Sequence, residues 1–130
     1  MTVDEYLDQA RAELDRVPPA EASRLQAEGA LLVDIRPIEN RRAEGEIPGS
    51  VPVERIHLEW RLDPKSDHRL PEVDSATRVI VLCNEGYASS LAARDLHRLG
   101  LTTATDLVGG FRAWAAAGLP VVEGGRPAVP

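Results

Sequence analysis

The chain has 130 residues, enough for one domain with its own core and too few for two of ordinary size. A formal charge of −6 argues against nucleic acid or an anionic membrane as the main partner, and no apolar run approaches the roughly 18 residues of a membrane span. The single cysteine, Cys83, cannot form an internal disulfide, and the N-terminus lacks the basic and apolar regions of a secretory signal, so a reducing cytoplasm is the expected location.

Thr2-Val3-Asp4-Glu5 has the form of a capping box, and Val3, Tyr6, Leu7, Ala10 and Leu14 then share one helical face. This predicts a helix ending near Arg16, before Pro18-Pro19, with residues 1–18 packed on the domain as an N-terminal addition. A second helix is expected over Ala20–Glu28, stopped by Gly29. Ala30–Arg36 reads as a buried strand whose end turns abruptly polar at Asp34-Ile35-Arg36. Ile38–Ala43 makes a short charged helix in which Arg41-Arg42 are expected to be solvated. Gly45-Glu46-Ile47-Pro48-Gly49-Ser50 is a turn, and Val51-Pro52-Val53 is a short extended piece.

Glu54–Leu62 predicts another helix with Ile56, Trp60 and Leu62 inward, followed by an exposed loop over Asp63–Val73. Val79–Leu82 is a four-residue apolar strand, and Cys83 follows it at once. A turn through Gly86 leads into a helix running to about Leu99, capped by Gly100. Thr103–Val108 suggests a last strand, Phe111–Ala117 a last helix, and Val121–Pro130 a loose Gly- and Pro-rich end, of which 123–130 is assigned as a flexible tail. Strands alternating with helices imply an α/β fold with a parallel sheet, and in such sheets sites gather at the carboxyl ends of strands. Asp34, Arg36 and Cys83 all stand there.

A thiol at a strand-to-helix turn is well placed for chemistry. The turn aims backbone N–H groups at one spot, and the helix adds the positive end of its dipole. Both favour a thiolate, the form that attacks. His57, His68 and His97 are scattered and read as surface residues, with no Cys or carboxylate at ligand spacing, so no metal site is expected. Trp60, Phe111 and Trp114 read as core or lid.

The ordered series Asp34-Ile35-Arg36, Gly45-Glu46-Ile47-Pro48-Gly49-Ser50, Cys83-to-Ser89 and Gly109-Gly110-Phe111-Arg112-Ala113-Trp114 resembles a single-domain rhodanese. The resemblance covers roughly residues 19–122. It implies a rhodanese-like α/β fold, with a central parallel sheet flanked by helices on both faces. It further implies a cysteine that takes a sulfane sulfur from a donor such as thiosulfate or a persulfide, and passes it to a thiol or other nucleophile. By position, Cys83 would carry the persulfide. Asn84, Glu85, Gly86, Tyr87, Ala88 and Ser89 would form its cradle, with Asp34 and Arg36 as pocket support. The partners would be a small sulfur donor and a thiol acceptor, a protein acceptor included, and no cofactor is needed.

The side chains of this loop depart from the thiosulfate-using pattern. Asn84 and Ala88 stand where that pattern often has a basic residue, Glu85 lies inside the loop, and Glu46 replaces a frequent histidine. Poor thiosulfate turnover and a better fit to a persulfide donor are therefore expected. Arg36 is left between anion binding and pairing with Glu85 or Glu39. Phosphatase chemistry is disfavoured, because the sixth residue after Cys83 is Ser89 rather than arginine. Two other readings stay open from these residues: a non-catalytic binding or regulatory module of the same fold, and a redox-sensing thiol.

Overall fold

Leu31–Asp34 (β1), Val51–Pro52 (β2), Val79–Leu82 (β3) and Thr105–Asp106 (β4) pair in parallel, in the order β2-β1-β3-β4, in the computed structural model, which describes residues 1–130. β3 is central and buried along its whole length, which is why its sequence is an unbroken apolar run. The β1–β3 register sets Leu31 beside Val79 and Asp34 beside Leu82. The polar end of β1 and the residue after β3 therefore emerge at the same edge.

Alternation along the strands divides the core in two. Val33, Val79 and Val81 pack with Leu58, Leu62, Ala92 and Leu96. Leu32, Ile80 and Leu82 face the other way, toward Ala22, Leu25, Phe111 and Trp114. The first cluster belongs to the helices Leu58–Leu62 (α4) and Ala88–Arg98 (α5), counted after Val3–Ala12 (α1), Pro19–Ala27 (α2) and Ile38–Glu44 (α3); the second involves α2 and Gly110–Ala116 (α6). Helices thus cover both faces of the sheet.

The helix starts follow local chemistry. The Glu5 N–H donates to Thr2 Oγ1 at 3.1 Å, as the capping box requires. Pro19 occupies the first turn of α2, where its missing N–H is no loss. After α2 the chain reaches β1, and α1 packs against α5.

Several expectations are corrected. Residues Glu54–Leu62 do not form one helix: a 3₁₀ turn over Arg55–His57 precedes α4. Two apolar pairs at i, i+4 compete in this stretch, and Leu58 with Leu62 takes the core face, which leaves Ile56 71% and Trp60 60% exposed. The last strand shrinks to Thr105–Asp106. Arg41 is buried rather than solvated, because its guanidinium meets the fully buried Glu46 carboxylate at 3.0 Å and donates to the Arg126 carbonyl at 2.6 Å.

Glu46 also organises the end of the chain, which has regular bonds despite its loop-like composition. Its backbone exchanges hydrogen bonds with Val122 in both directions, each at 2.9 Å. Its carboxylate accepts from the Gly125 N–H at 2.7 Å and from Arg126 Nε at 2.5 Å. Further on, the Val129 N–H donates to the Pro52 carbonyl at 2.9 Å. Residues 123–130, expected from composition to be a flexible tail, are thus tied to the body by hydrogen bonds.

Burial raises the cost of charge on Glu46, but the Arg126 guanidinium, the Gly125 N–H and Arg41 outweigh it and hold its carboxyl below the usual range. A carboxyl lowered on folding stabilises the native state above its unfolded pKa, and that contribution is lost as pH falls through the folded value. Glu46→Ala should cost about 3–5 kcal/mol in urea unfolding, since it leaves Arg41 buried without its partner. The variant should also show a shallower loss of stability on acidification below about pH 4, the unfolded carboxyl range. A stability within 1 kcal/mol of the wild type, as an order-of-magnitude threshold, would contradict the pairing.

Candidate active site

Cys83 is the first residue beyond β3, and α5 begins five residues later at Ala88. Cys83 is 9% exposed, and its sulfur sits inside the intervening loop. The N–H groups of Gly86 and Ser89 donate to Sγ at 3.2 and 3.4 Å, and the thiol lies 3.3 Å from Ser89 Oγ. Gly86 has φ +88°, and a Cβ there would stand 2.9 Å from the backbone nitrogen of Gly109. Only glycine fits both the angle and the space.

The start of α6 backs the loop. The Phe111 N–H donates to the Cys83 carbonyl at 2.9 Å, and the Arg112 N–H to the Asn84 carbonyl at 3.1 Å. A Cβ on Gly110 would lie 2.5 Å from the same Cys83 oxygen. The Gly109-Gly110-Phe111 signature is thus a close backbone approach, and it presses two carbonyls of the loop away from the sulfur.

The sulfur opens into a cleft of about 350 Å³. Asn84, Glu85, Tyr87 and Ala88 form one wall, and Ile35, Arg36, Pro37, Asn40 and Arg55 form the other. A larger surface hollow of about 450 Å³, between Leu25 and Arg78, contains no thiol and lies apart from the cysteine.

Each arginine that lines the cleft is matched by acids. Arg36 is buried, donates from its guanidinium to both oxygens of Asp34 and to the Gly45 carbonyl, and lies 4.0 Å over the Phe111 ring. Its only reach toward the loop is a 3.4 Å contact with Asn84 Oδ1. It pairs with neither Glu85 nor Glu39, the two partners considered from sequence. Glu85 is instead exposed and meets Arg112 at 3.2 Å. Glu44 accepts from Arg112 and from the Asn84 side-chain amide, which lower its carboxyl in that order. Arg55 is held by Glu59 at 2.8 Å and Asp95 at 2.8 Å.

Behind the loop lies a buried carboxylate that the sequence reading missed. Asp106, at the end of β4, accepts from Ser89 Oγ at 2.7 Å and Ser90 Oγ at 2.8 Å, and pairs with Arg16 at 2.8 Å. Ser89 therefore bridges the cysteine sulfur and this acid. The rule that places sites at strand ends could have picked out Asp106. Arg55 had a weaker signal, its i, i+4 spacing to Glu59. Of the residues expected to form the site, Cys83 to Ser89 and Arg36 come together around the cleft or its loop; Asp34 sits one shell further out, behind Arg36.

This arrangement can hold a sulfur anion on backbone dipoles beside a small, nearly charge-neutral cleft. A family model described as Rhodanese-like domain matches residues 18–117. The thiosulfate sulfurtransferase GlpE of Pseudomonas fluorescens (strain SBW25) is 33% identical over 103 residues, 79% of this chain and 86% of that protein. Among solved structures, a protein of unknown function and possible tyrosine phosphatase from Rhodopseudomonas palustris CGA009 has a TM-score of 0.84 at 31% identity, covering 94% of this chain and 95% of that one. A thiosulfate sulfurtransferase from Pseudomonas aeruginosa has a TM-score of 0.72 at 27% identity, over 88% of this chain and 20% of that one. The chain belongs to the rhodanese-like family and is an enzyme of the rhodanese sulfurtransferase type.

Proposed function

We propose that the enzyme moves a sulfane sulfur from a small donor to a thiol or other nucleophile through a persulfide on Cys83, and that it favours a persulfide donor over thiosulfate. The observation that carries this reading is the Cys83 sulfur facing the N–H groups of Gly86 and Ser89 at the floor of a cleft. The residues Asn84, Glu85, Gly86, Tyr87, Ala88 and Ser89 make the cradle, and Asp34 with Arg36 supports its wall.

In the first step the Cys83 thiolate attacks the outer sulfur of the donor. A bond forms between Sγ and that sulfur, the donor's own S–S bond breaks, and its electron pair leaves with the donor's thiolate or sulfite. The persulfide on Cys83 carries its charge on the outer sulfur. In the second step an acceptor thiolate attacks this outer sulfur and Cys83 leaves as a thiolate, ready for another turn. This is two-step nucleophilic catalysis, and neither step calls for a metal or an organic cofactor. Backbone N–H groups stabilise the anion at each stage because they are fixed before the reaction begins. A lone carrier thiol works where thiols stay reduced, which supports a cytoplasmic setting for the activity.

The donor preference follows from charge. Arg36, Arg55 and Arg112 are each engaged by carboxylates, and Asn84 and Ala88 add no positive charge. A dianion such as thiosulfate finds no spare cation in the cleft, whereas a singly charged persulfide needs less compensation. A phosphatase reading, raised by the possible tyrosine phosphatase among the structural neighbours, is not favoured. The Ser89 hydroxyl is directed to Asp106, at the position where phosphate chemistry needs a forked guanidinium.

Intact-mass measurement tests the carrier. Wild type mixed with a low-molecular-weight persulfide should gain about 32 Da, one sulfur atom, and lose it to an added thiol, while Cys83→Ser should gain nothing. Equal loading of the serine variant would remove Cys83 from the mechanism. An inert wild type would favour the binding-module reading.

Ala88→Arg tests the donor preference separately. A cation at the mouth of the loop should raise kcat/KM for thiosulfate roughly tenfold, by Coulomb attraction at an intermediate dielectric, and leave that for a persulfide within about twofold. A wild type that already turns over thiosulfate faster than persulfide would overturn the preference.

A further inference from the structure

The family match begins at residue 18, yet two side chains from the preceding segment reach the cysteine loop. The Arg11 guanidinium donates to the Gly86 carbonyl at 2.7 Å, and Arg16 donates to the same oxygen at 3.0 Å. One backbone oxygen thus receives two cations. Arg11 also donates from Nε to Ser90 Oγ at 3.1 Å and lies 5.6 Å from the centre of the Tyr87 ring. Arg16 grips Asp106 with two bonds, at 2.8 and 3.1 Å.

The fold brings them there in two ways. α1 packs along α5 and carries Arg11 to the start of that helix. Val17 then pairs in parallel with Leu107 beyond β4, with the Val17 N–H on the Asp106 carbonyl at 3.1 Å and the Val108 N–H on the Val17 carbonyl at 2.9 Å. This one-residue extension of the sheet sets Arg16 beside Asp106.

The carbonyl they hold is joined to the N–H of Tyr87 through one planar trans peptide, so the two groups point in opposite directions. With the oxygen turned to the arginines, the Tyr87 N–H is turned away from them, and it has no hydrogen-bond partner within the protein. A peptide next to glycine can rotate at little cost, so its orientation needs an outside hold. We propose that Arg11 and Arg16 are positioning residues for sulfur transfer, fixing the Gly86–Tyr87 peptide so that the Tyr87 N–H joins those of Gly86 and Ser89 around the sulfur anion of Cys83. The role rests on the proposed persulfide chemistry. Two donors already serve Sγ, and the charge moves one bond outward when the persulfide forms. A further donor is needed beyond Sγ, and Tyr87 supplies it.

Other charges near the sulfur are Asp106 behind Ser89, the Asp34–Arg36 pair, Arg55 with Glu59 and Asp95, and Glu85 with Arg112 and Glu44. None of them is bonded to Arg11, whose partners are Ser90 Oγ and the Gly86 carbonyl. Removing Arg16 also frees Asp106, so the two arginines are changed separately as well as together.

The test measures Cys83 alkylation by iodoacetamide across pH, sulfur transfer from a low-molecular-weight persulfide to a thiol, and thermal stability. Arg11→Ala/Arg16→Ala should slow alkylation at neutral pH about fivefold, displace the whole rate profile to higher pH, and lower kcat about tenfold with KM within about twofold. Arg11→Lys, which keeps a charge and a donor, should recover most of the loss of Arg11→Ala. If the double variant does not fold, Arg11→Met alone should slow alkylation about twofold to threefold. An alkylation profile that superimposes on the wild type, whatever the change in melting temperature, overturns the positioning role. A wild type that takes no sulfur from any donor removes the transfer chemistry, and with it this role in transfer, whereas a profile displaced in the variants still shows that the arginines set the loop around the thiolate.

Discussion

A short loop that turns its N–H groups inward to a sulfur must turn its carbonyl groups outward, and each of those carbonyls needs a partner. This requirement shapes the end of the sheet where Cys83 stands. The Cys83 and Asn84 carbonyls are taken by the N–H groups of Phe111 and Arg112, and the Gly86 carbonyl by Arg11 and Arg16. The cradle is thus gripped from two sides, by a helix start on one face and by the N-terminal segment on the other. A peptide that lost its outward partner would cost an unmet hydrogen bond, of the order of 1–3 kcal/mol when buried.

The same logic applies to the buried arginines near this end of the sheet, in a chain whose only lysine is Lys65. Asp34, Glu46 and Asp106 are buried acids around the carboxyl ends of the strands, and each is met by guanidinium. Arg16 serves Asp106 and the Gly86 carbonyl together, and Arg36 serves Asp34, the Gly45 carbonyl and the Phe111 ring. A planar fork of five donors can do this, while an ammonium acts as a single point of charge.

What was legible in the sequence was local or periodic. The apolar run Val79–Leu82, the cysteine after it, the Gly86 turn and the helix to about residue 99 follow from patterns within twenty residues. The ordered motifs also pointed to the family that the comparisons show. What was not legible depends on partners far apart in the chain. Nothing within Arg11 or Arg16 marks them as neighbours of residue 86, and Arg41 reads as solvated until Glu46 and Arg126 are placed beside it. Ile56 and Trp60 failed for a different reason: their spacing matches that of Leu58 and Leu62, so periodicity alone could not choose which pair faces the core.

A cradle built on backbone dipoles, with the arginines that line its cleft already matched, suits a carrier better than a strong anion site would. Under the proposed reaction the negative charge begins on Sγ, moves to the outer sulfur, and returns when the acceptor attacks. A single unpaired cation would hold one of these states, or the departing anion, more tightly than the others, and tight binding of one state raises the barrier out of it. Several fixed N–H groups spread along the path stabilise the charge wherever it stands. The proposed weaker grip on a dianionic donor is the counterpart of that evenness. In the proposed reaction donor choice and carrier behaviour therefore have one physical origin, the lack of an unpaired cation among the side chains that line the cleft.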